Sequence, residues 1–525
     1  IEPAVGDSGL RPAIDYGRCC WCALCVDICP TTSLAMSNRY NWISDDGEDW
    51  VFIPGVDDGG WNEDELGYRR AESAWLLDPA EQKMPVIEPD ERKKHFDEMA
   101  LGYGDREALA EAIRCLDCGL CIEACPTHMD VPAYIRSIRD GDLAEGLRLL
   151  YDTNPFSESC GRICTANCQD ACALGHLGEP IMIRWLKRYI TDNTLERRNS
   201  ILGVEKRAHR TGKKIAVVGG GPSGFTAAFY LNRFGHDVTV FERTDKPGGM
   251  LRTGIPDYRL PADVLQREID VIVDSGVELR TNVDIGNDTS VMKLKEGYDS
   301  VYISVGAQEG SSMPIEGIGL PRVLIGVDLL ARIAAGERPS LGDKVAVIGG
   351  GNTAMDVCRS AVRLGAGRVN VLYRRTEKEM PADDEEIEEA KEEGVEFDFL
   401  VSPVRITEKG GKLDVECQRM ELGEPDDSGR RRPVPIDGSE FTVSVDTCVM
   451  AVGQQVEGSF ATAAGVKITR WNTFDVNGDT LVTDIEGVFA GGDCETGPDD
   501  AIRAIASGKK AAWFINDYLG RKTDG

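Results

Sequence analysis

One short pattern occurs twice in this chain and restricts its fold more than any other feature. In "KKIAVVGGGPSGFTAAFYL", from Lys213, and "DKVAVIGGGNTAMDVCRSA", from Asp343, an apolar run leads through three glycines into a helix-forming stretch. Strand, tight glycine turn and helix in that order open a βαβ unit. From Lys213 onward such apolar runs alternate with longer amphipathic stretches, so each block is expected to extend into a parallel sheet. The predicted class is α/β, with two Rossmann-like nucleotide-binding domains. The 525 residues leave room for about three or four units in all.

The two turns differ in what they can hold. Gly219, Gly221 and Gly224 satisfy G-x-G-x-x-G at the head of a helix whose amides can bind a pyrophosphate. The next strand, "HDVTVFE", ends in Glu242, whose carboxylate can accept hydrogen bonds from ribose hydroxyls. Further on, "DIEGVFAGGDC" brings Asp493 after a strand and two glycines, ahead of a helix whose N-terminus can stabilise negative charge on a reduced flavin. These features favour FAD. In the second block Gly349, Gly351 and Ala354 give the G-x-G-x-x-A variant, and "RVNVLYRR" closes with Arg374 and Arg375 where a carboxylate would select NAD. Paired guanidinium groups suit a 2′-phosphate, which favours NADPH. The alternative is that both arginines face solvent and the glycines alone hold the nucleotide. Gly306 and Gly453, in "SVGAQ" and "AVGQQ", are expected at crossover turns between the blocks.

Twelve of the seventeen cysteines fall in three runs of four, which is metal or cluster spacing and implies a reducing compartment, the cytoplasm. Cys19, Cys22, Cys25 and Cys29 with Pro30, and Cys115, Cys118, Cys121 and Cys125 with Pro126, both match C-x2-C-x2-C-x3-C-P. In this run three close thiolates wrap one 4Fe-4S cluster and the fourth reaches a neighbouring one. Zinc would present paired two-cysteine hooks instead. Cys160, Cys164, Cys168 and Cys172 repeat every four residues and can supply the missing ligands, although a core stripe of small residues has the same period. Cys20, Cys358, Cys417, Cys448 and Cys494 are expected to be buried small hydrophobes, and none forms the redox C-x-x-C of a flavin-linked disulfide reductase.

A net charge of −30, spread along the chain, disfavours nucleic-acid and anionic-membrane partners. No apolar run approaches the roughly 18 residues a membrane span needs, so a soluble protein without membrane insertion is expected. The text divides into a cluster-bearing segment at 1–40, an acidic connector at 41–82 and a helical cluster domain at 83–205. A first FAD-binding part follows at 206–325, then an NADPH-binding domain at 326–454 and a second FAD-binding part at 455–525. The acidic run "DDEEIEEAKEEG" from Asp383 reads as a surface helix with a solvated charged face, with Ile387, Ala390 and Lys391 in helical register.

Several phrases together resemble the glutamate synthase small subunit family: "PDERKKHFDEMALGYG", "RCLDCG", "CGRIC", "KPGGMLRTGIPDYRLP", "GGGNTAMD", "YRRTEKEMPA" and "VFAGGDC". That family includes the large subunit of NADH-dependent ferredoxin:NADP oxidoreductase and the half of dihydropyrimidine dehydrogenase that takes in electrons. The match runs in family order from about Lys83 to Leu519. It implies hydride transfer from NADPH to FAD and single-electron transport through two clusters in the helical domain. It also implies an FAD domain in two pieces around the NADPH domain. Through these motifs Gly249, Met250, Asn352 and Thr353 join the cofactor-binding set. One cluster would be held by Cys115, Cys118, Cys121 and Cys172, the other by Cys125, Cys164 and Cys168. Relatives tend to place the eighth ligand, a Gln or Glu, on the helix after the last cysteine. Here "IMIRWLKRYI" offers Lys187 and Arg188, which cannot ligate iron while protonated, so Cys160 is the expected substitute.

The segment "RPAIDYGRCCWCALCVDICPTTSLAMSNRY" resembles the second half of a two-cluster ferredoxin module of the respiratory complex I type, so a first half is expected before Ile1. The alternative is pairing within this chain, with Cys29 joining the second run and Cys125 the first. No side-chain acid or nucleophile is needed for the chemistry, so no catalytic residue is assigned. The expected partner is a ferredoxin or an electron-accepting subunit within a hetero-oligomeric complex. The alternatives are glutamate synthase small subunit proper, or a relay subunit of a larger respiratory or hydrogenase-like complex.

Overall fold

The computed structural model describes residues 80–521 except 177, 204–209, 427–428, 458–459 and 461–462, together with 2–6, 9–16, 19–27, 29, 34–36, 51–52 and 67–69. Most of the stretch read as an acidic connector, and Pro30, lie outside the described residues. Val51–Phe52, from that stretch, pairs antiparallel with Ile14–Asp15, so the boundary expected at residue 40 does not separate the two segments.

Among the described residues of 89–202 every helix or strand element is a helix. Asp130 and Asp142 cap two of them, each accepting from the backbone amide three residues on, at 3.1 and 3.0 Å. The helices Val131–Arg139, Leu143–Thr153 and Ile183–Asp192 turn Tyr134, Ile135, Leu147, Leu150, Leu186 and Ile190 into one core. Among the described residues no helix is long and apolar enough to cross a membrane.

Each glycine block seeds a five-stranded parallel sheet. In the first, the order is Val488–Ala490, Ser300–Ile303, Lys214–Val218, Asp237–Phe241 and Glu278–Arg280. Ile215 to Val218 are all buried because helices cover both faces, which is why the strand reads as an unbroken apolar run. The second sheet runs Glu396–Phe399, Arg368–Tyr373, Lys344–Ile348, Thr447–Met450 and Val323–Ile325. Val323–Ile325, placed by sequence with the first unit, therefore belongs to the second. Two short strands, Glu309–Gly310 and Gln454–Gln455, pair antiparallel where the chain passes between the units. The boundary drawn after residue 454 falls inside that ribbon. An antiparallel sheet of four strands between Val401 and Val445, which the sequence reading did not separate, packs beneath the second parallel sheet.

The acidic run departs from expectation. It forms the helix Asp384–Glu392 with Ile387 and Ala390 buried, but Glu386, Glu389 and the following Glu393 are buried as well. Arg359 spans Glu386, Glu389 and Glu393 at 2.8–2.9 Å. Arg363 and Arg92 also close on Glu393, at 2.5 and 3.0 Å, and both Arg359 and Arg363 lie over the Tyr258 ring. Arg259 bridges Asp356 at 2.8 Å and Glu386 at 2.7 Å. One buried charge cluster thus joins the helical unit, through Arg92, to both α/β units. A periodicity argument cannot see this, because the guanidinium partners come from up to 301 residues away.

Candidate functional site

The first glycine of each turn is required by geometry. Gly219 has φ +104° and a Cβ there would lie 2.5 Å from the Ser304 carbonyl oxygen; Gly349, at φ +141°, would strike that of Ala451 at 2.1 Å. Gly224 lets its helix approach the strand, since a Cβ would meet the Gly219 oxygen at 2.0 Å. Ala354 fills the corresponding place in the second block and is fully buried. By contrast, a Cβ on Gly221 or Gly351 would meet nothing closer than 3.9 or 3.7 Å. These two positions keep clear a space over the amides of a helix N-terminus, which a pyrophosphate can take.

Glu242 stands at the end of its strand, buried, accepting from the Gly220 amide at 2.9 Å and from the Thr244 amide and hydroxyl at 2.8 Å. It lines a cavity of about 650 Å³ with Phe241, Val283, Gly306 and Phe460, where an adenosine half fits. The larger cleft, about 790 Å³, is shared by both units. Met250 and Asp493 line it from the first, and Gly349 to Thr353 from the second. Gly249, at φ +55°, packs against Gly221 and starts the short helix that carries Met250. Asn352 accepts from the Asp383 amide at 2.9 Å, fixing the second turn. Burial pushes the Asp493 carboxyl up to about 7, with Asp499 adding to the shift.

Arg374 and Arg375 are not the equivalent pair that the sequence implies. Arg375 is buried, donating to Asp426 at 2.7 Å and to the Arg431 carbonyl oxygen at 2.7 Å. Arg374 is exposed along the cleft. Arg430 joins it there, a residue missed by the reading although "GRRRP" offered a cationic signal.

The helical unit places Cys115, Cys118, Cys121 and Cys172 around one cavity walled by Val131, Ile135 and Ile181. The loop that wraps them passes through Asp117, at φ +55°, whose carboxylate is held by Arg139 at 2.9 Å. Cys125 faces away to Thr127, 3.2 Å from its hydroxyl. Cys168 has Cys164, Cys125 and Cys121 as charge neighbours, and the fully buried Tyr134 is beside members of both sets. Among the described residues no three His, Cys, Asp or Glu side chains converge on a single-ion position. The four cysteines surround a space instead, as a multi-atom cluster needs. Burial pushes the Cys121 thiol up to about 11 and that of Cys168 to about 12, so thiolates there call for a cationic centre. A 4Fe-4S cubane fits this donor set.

Cys160 is fully buried, accepts from the Asn154 amide at 3.3 Å and packs on the core of the first α/β unit. Arg188 turns away, to Asp192 and the Ala100 carbonyl, both at 3.0 Å. At the N-terminal end Cys25 has Cys19 and Cys22 as charge neighbours, and Cys29 is buried. Cys358, Cys417, Cys448 and Cys494 are fully buried, but Cys20 is exposed and so is not the buried residue expected.

The segment that carries Cys164 reaches the large cleft. Ile163, Thr165 and Asn167, which bracket Cys164, form part of its wall. Thr165 donates to Asp500 at 3.0 Å, next to the helix Ala501–Arg521, and Lys509 of that helix donates to the Thr127 carbonyl at 3.2 Å.

Comparison with known proteins agrees with this division. Residues 210–508 match the family described as pyridine nucleotide-disulphide oxidoreductase, and residues 92–199 match dihydropyrimidine dehydrogenase domain II, 4Fe-4S cluster. The NADP(+)-dependent formate dehydrogenase subunit beta of Moorella thermoacetica is 40% identical over 426 residues, 77% of this chain and 60% of that one. The NADPH-Fe(3+) oxidoreductase subunit beta of Geobacter sulfurreducens is 40% identical over 458 residues, 81% of this chain and 68% of that one. The glutamate synthase [NADPH] small chain of Azospirillum brasilense is 33% identical over 463 residues, 84% of this chain and 96% of that one.

Proposed function

We propose, on the premise that this chain belongs to the glutamate synthase small-chain family of NADPH-linked flavin and iron–sulfur oxidoreductases, that it takes electrons from NADPH and delivers them singly to a partner subunit or ferredoxin in the cytoplasm. FAD, when bound, accepts two electrons as hydride and releases them one at a time, which matches the one-electron capacity of 4Fe-4S clusters. Gly219, Gly221, Gly224 and Glu242 hold its adenosine diphosphate half, while Gly249, Met250 and Asp493 border the reacting end. Gly349, Gly351, Asn352, Thr353 and Ala354 orient the pyridine nucleotide, with Arg374 toward its 2′-phosphate and Arg375 supporting that wall through Asp426. Cys115, Cys118, Cys121 and Cys172 hold an outer cluster. Cys125, Cys164 and Cys168, completed by Cys160, hold an inner one. Cys19, Cys22 and Cys25 hold a third, with Cys29 directed to a further cluster.

The observation that carries this reading is the single cleft lined by Pro222, Met250 and Asp493 of the first α/β unit, by Gly349 to Thr353 of the second and by the residues flanking Cys164. Anaerobic titration of the purified protein with NADPH tests it. Flavin absorbance should bleach while a reduced-cluster EPR signal appears. If the flavin keeps its colour, the chain is a relay whose nucleotide sites are structural. Arg374→Gln should raise the KM for NADPH by about 10- to 100-fold, the equivalent of one charge-assisted hydrogen bond. Its KM for NADH should not move, and an equal rise for both nucleotides would remove Arg374 from phosphate recognition.

A further inference from the structure

We infer, resting on the ligand reading above, that Lys187 is a fixed positive charge that raises the reduction potential of the inner cluster. Lys187 lies on the helix Ile183–Asp192 and is buried. The two arginines on either side each find an anionic partner: Arg184 pairs with Glu385, and Arg188 with Asp192. Among the described residues no carboxylate pairs with Lys187. Its helix packs against Ser157–Ile163, which carries Cys160: a Cβ on Gly161 would lie 3.1 Å from the Cα of Arg188, the residue after Lys187, and the charge neighbours of Lys187 are the sulfurs of Cys160, Cys164, Cys125 and Cys168. These are the same four sulfurs assigned to the inner cluster, so the helix carries an ammonium group to the place where a negatively charged cluster would stand.

A buried cation without a carboxylate is retained where other negative charge compensates it. Four thiolates around an iron–sulfur core supply that charge, and the ammonium has three N–H donors to offer their sulfurs. One-electron reduction adds one negative charge to the cluster. A fixed cation beside it therefore stabilises the reduced form more than the oxidised one, and charge and hydrogen bonds to sulfur are the recognised means of shifting such potentials. Beside the outer set the nearest cations, Arg139 and the half-exposed Arg136, share the Asp117 carboxylate and are not enclosed among the sulfurs. The inner set therefore has a buried ammonium among its sulfurs that the outer set lacks, and the cluster beside the flavin cleft becomes the easier to reduce.

The test uses the full chain with its cofactors, purified without oxygen, as wild type, Lys187→Met, Lys187→Gln and Lys187→Arg. Iron and sulfide are assayed, and each cluster signal is followed by EPR during a redox titration. In the Met and Gln variants iron content should be unchanged, and one cluster should become at least tenfold harder to reduce, a downward shift of about 59 mV for one electron. The second cluster should not move, and Lys187→Arg should keep the wild-type potential. An unchanged potential in a fully loaded neutral variant overturns the inference. So does loss of the inner cluster from both neutral variants, because the side chain would then be structural. The underlying ligand reading fails separately, if Cys168→Ser retains every cluster of the wild type.

Discussion

Replacing Glu393 by glutamine is expected to destabilise the protein by about 3–5 kcal/mol, the range for removing one partner of a buried ion pair. Arg92, Arg359 and Arg363 all reach this one carboxylate. Glutamine keeps its outline but leaves three buried guanidinium groups with less negative charge to face. Burial by itself would raise the Glu393 carboxyl, but hydrogen bonds and charge from Arg363 and Arg359 outweigh it and bring it down to about 2. Because the folded value lies below the unfolded one of about 4.3, its contribution is present above that pH and is lost as pH falls toward 2. Chemical unfolding followed by circular dichroism at pH 7 and across that acid limb checks both parts. Glutamine should remove this limb along with the stability. Glu389→Gln serves as a contrast: burial has already pushed that carboxyl up to about 7, so neutralising it should cost much less. Equal losses in the two variants would count against the assignment of Glu393 as the anchor.

Cys172→Ser should remove the outer cluster, seen as a loss of about four irons per chain. Reduction of a one-electron acceptor protein should fall by more than the ~10–100-fold that loss of a supporting metal contact costs. NADPH should still bleach the flavin, because the shared cleft and the inner cysteines are untouched. Stopped-flow absorbance separates the two steps. A variant that loses both steps together would place Cys172 in the packing of the whole helical unit.

What could be read from sequence was local. Gly219 and Gly349 stand out in short strand–turn–helix patterns, although the carbonyls that demand them, of Ser304 and Ala451, follow a third strand of each sheet, and the cysteines of the first two runs are ligand candidates because of spacing inside eleven residues. Both signals survive in a linear string. The division of labour between Arg374 and Arg375 does not, because it depends on Asp426, which arrives from the antiparallel sheet. The acidic helix looked solvated for the same reason: its buried face is set by arginines from distant elements, which periodicity cannot register. Val323–Ile325 was misplaced because three residues are too few to carry a pattern of their own, and its sheet is decided by Thr447–Met450.

The antiparallel ribbon of Glu309–Gly310 and Gln454–Gln455 ties together both strands that cross between the α/β units. Two tethers bonded side by side resist twisting in a way that a single hinge does not. Arg259 adds a second tie between the two α/β units and Arg92 a tie from the helical unit to the second, so the pyridine unit is held at more than the ribbon. In the proposed reaction a spent nucleotide would then leave along the cleft past Arg374 and Arg430 with the two units still held by that ribbon. Release would depend more on the grip of those guanidinium groups than on a wide opening of the molecule.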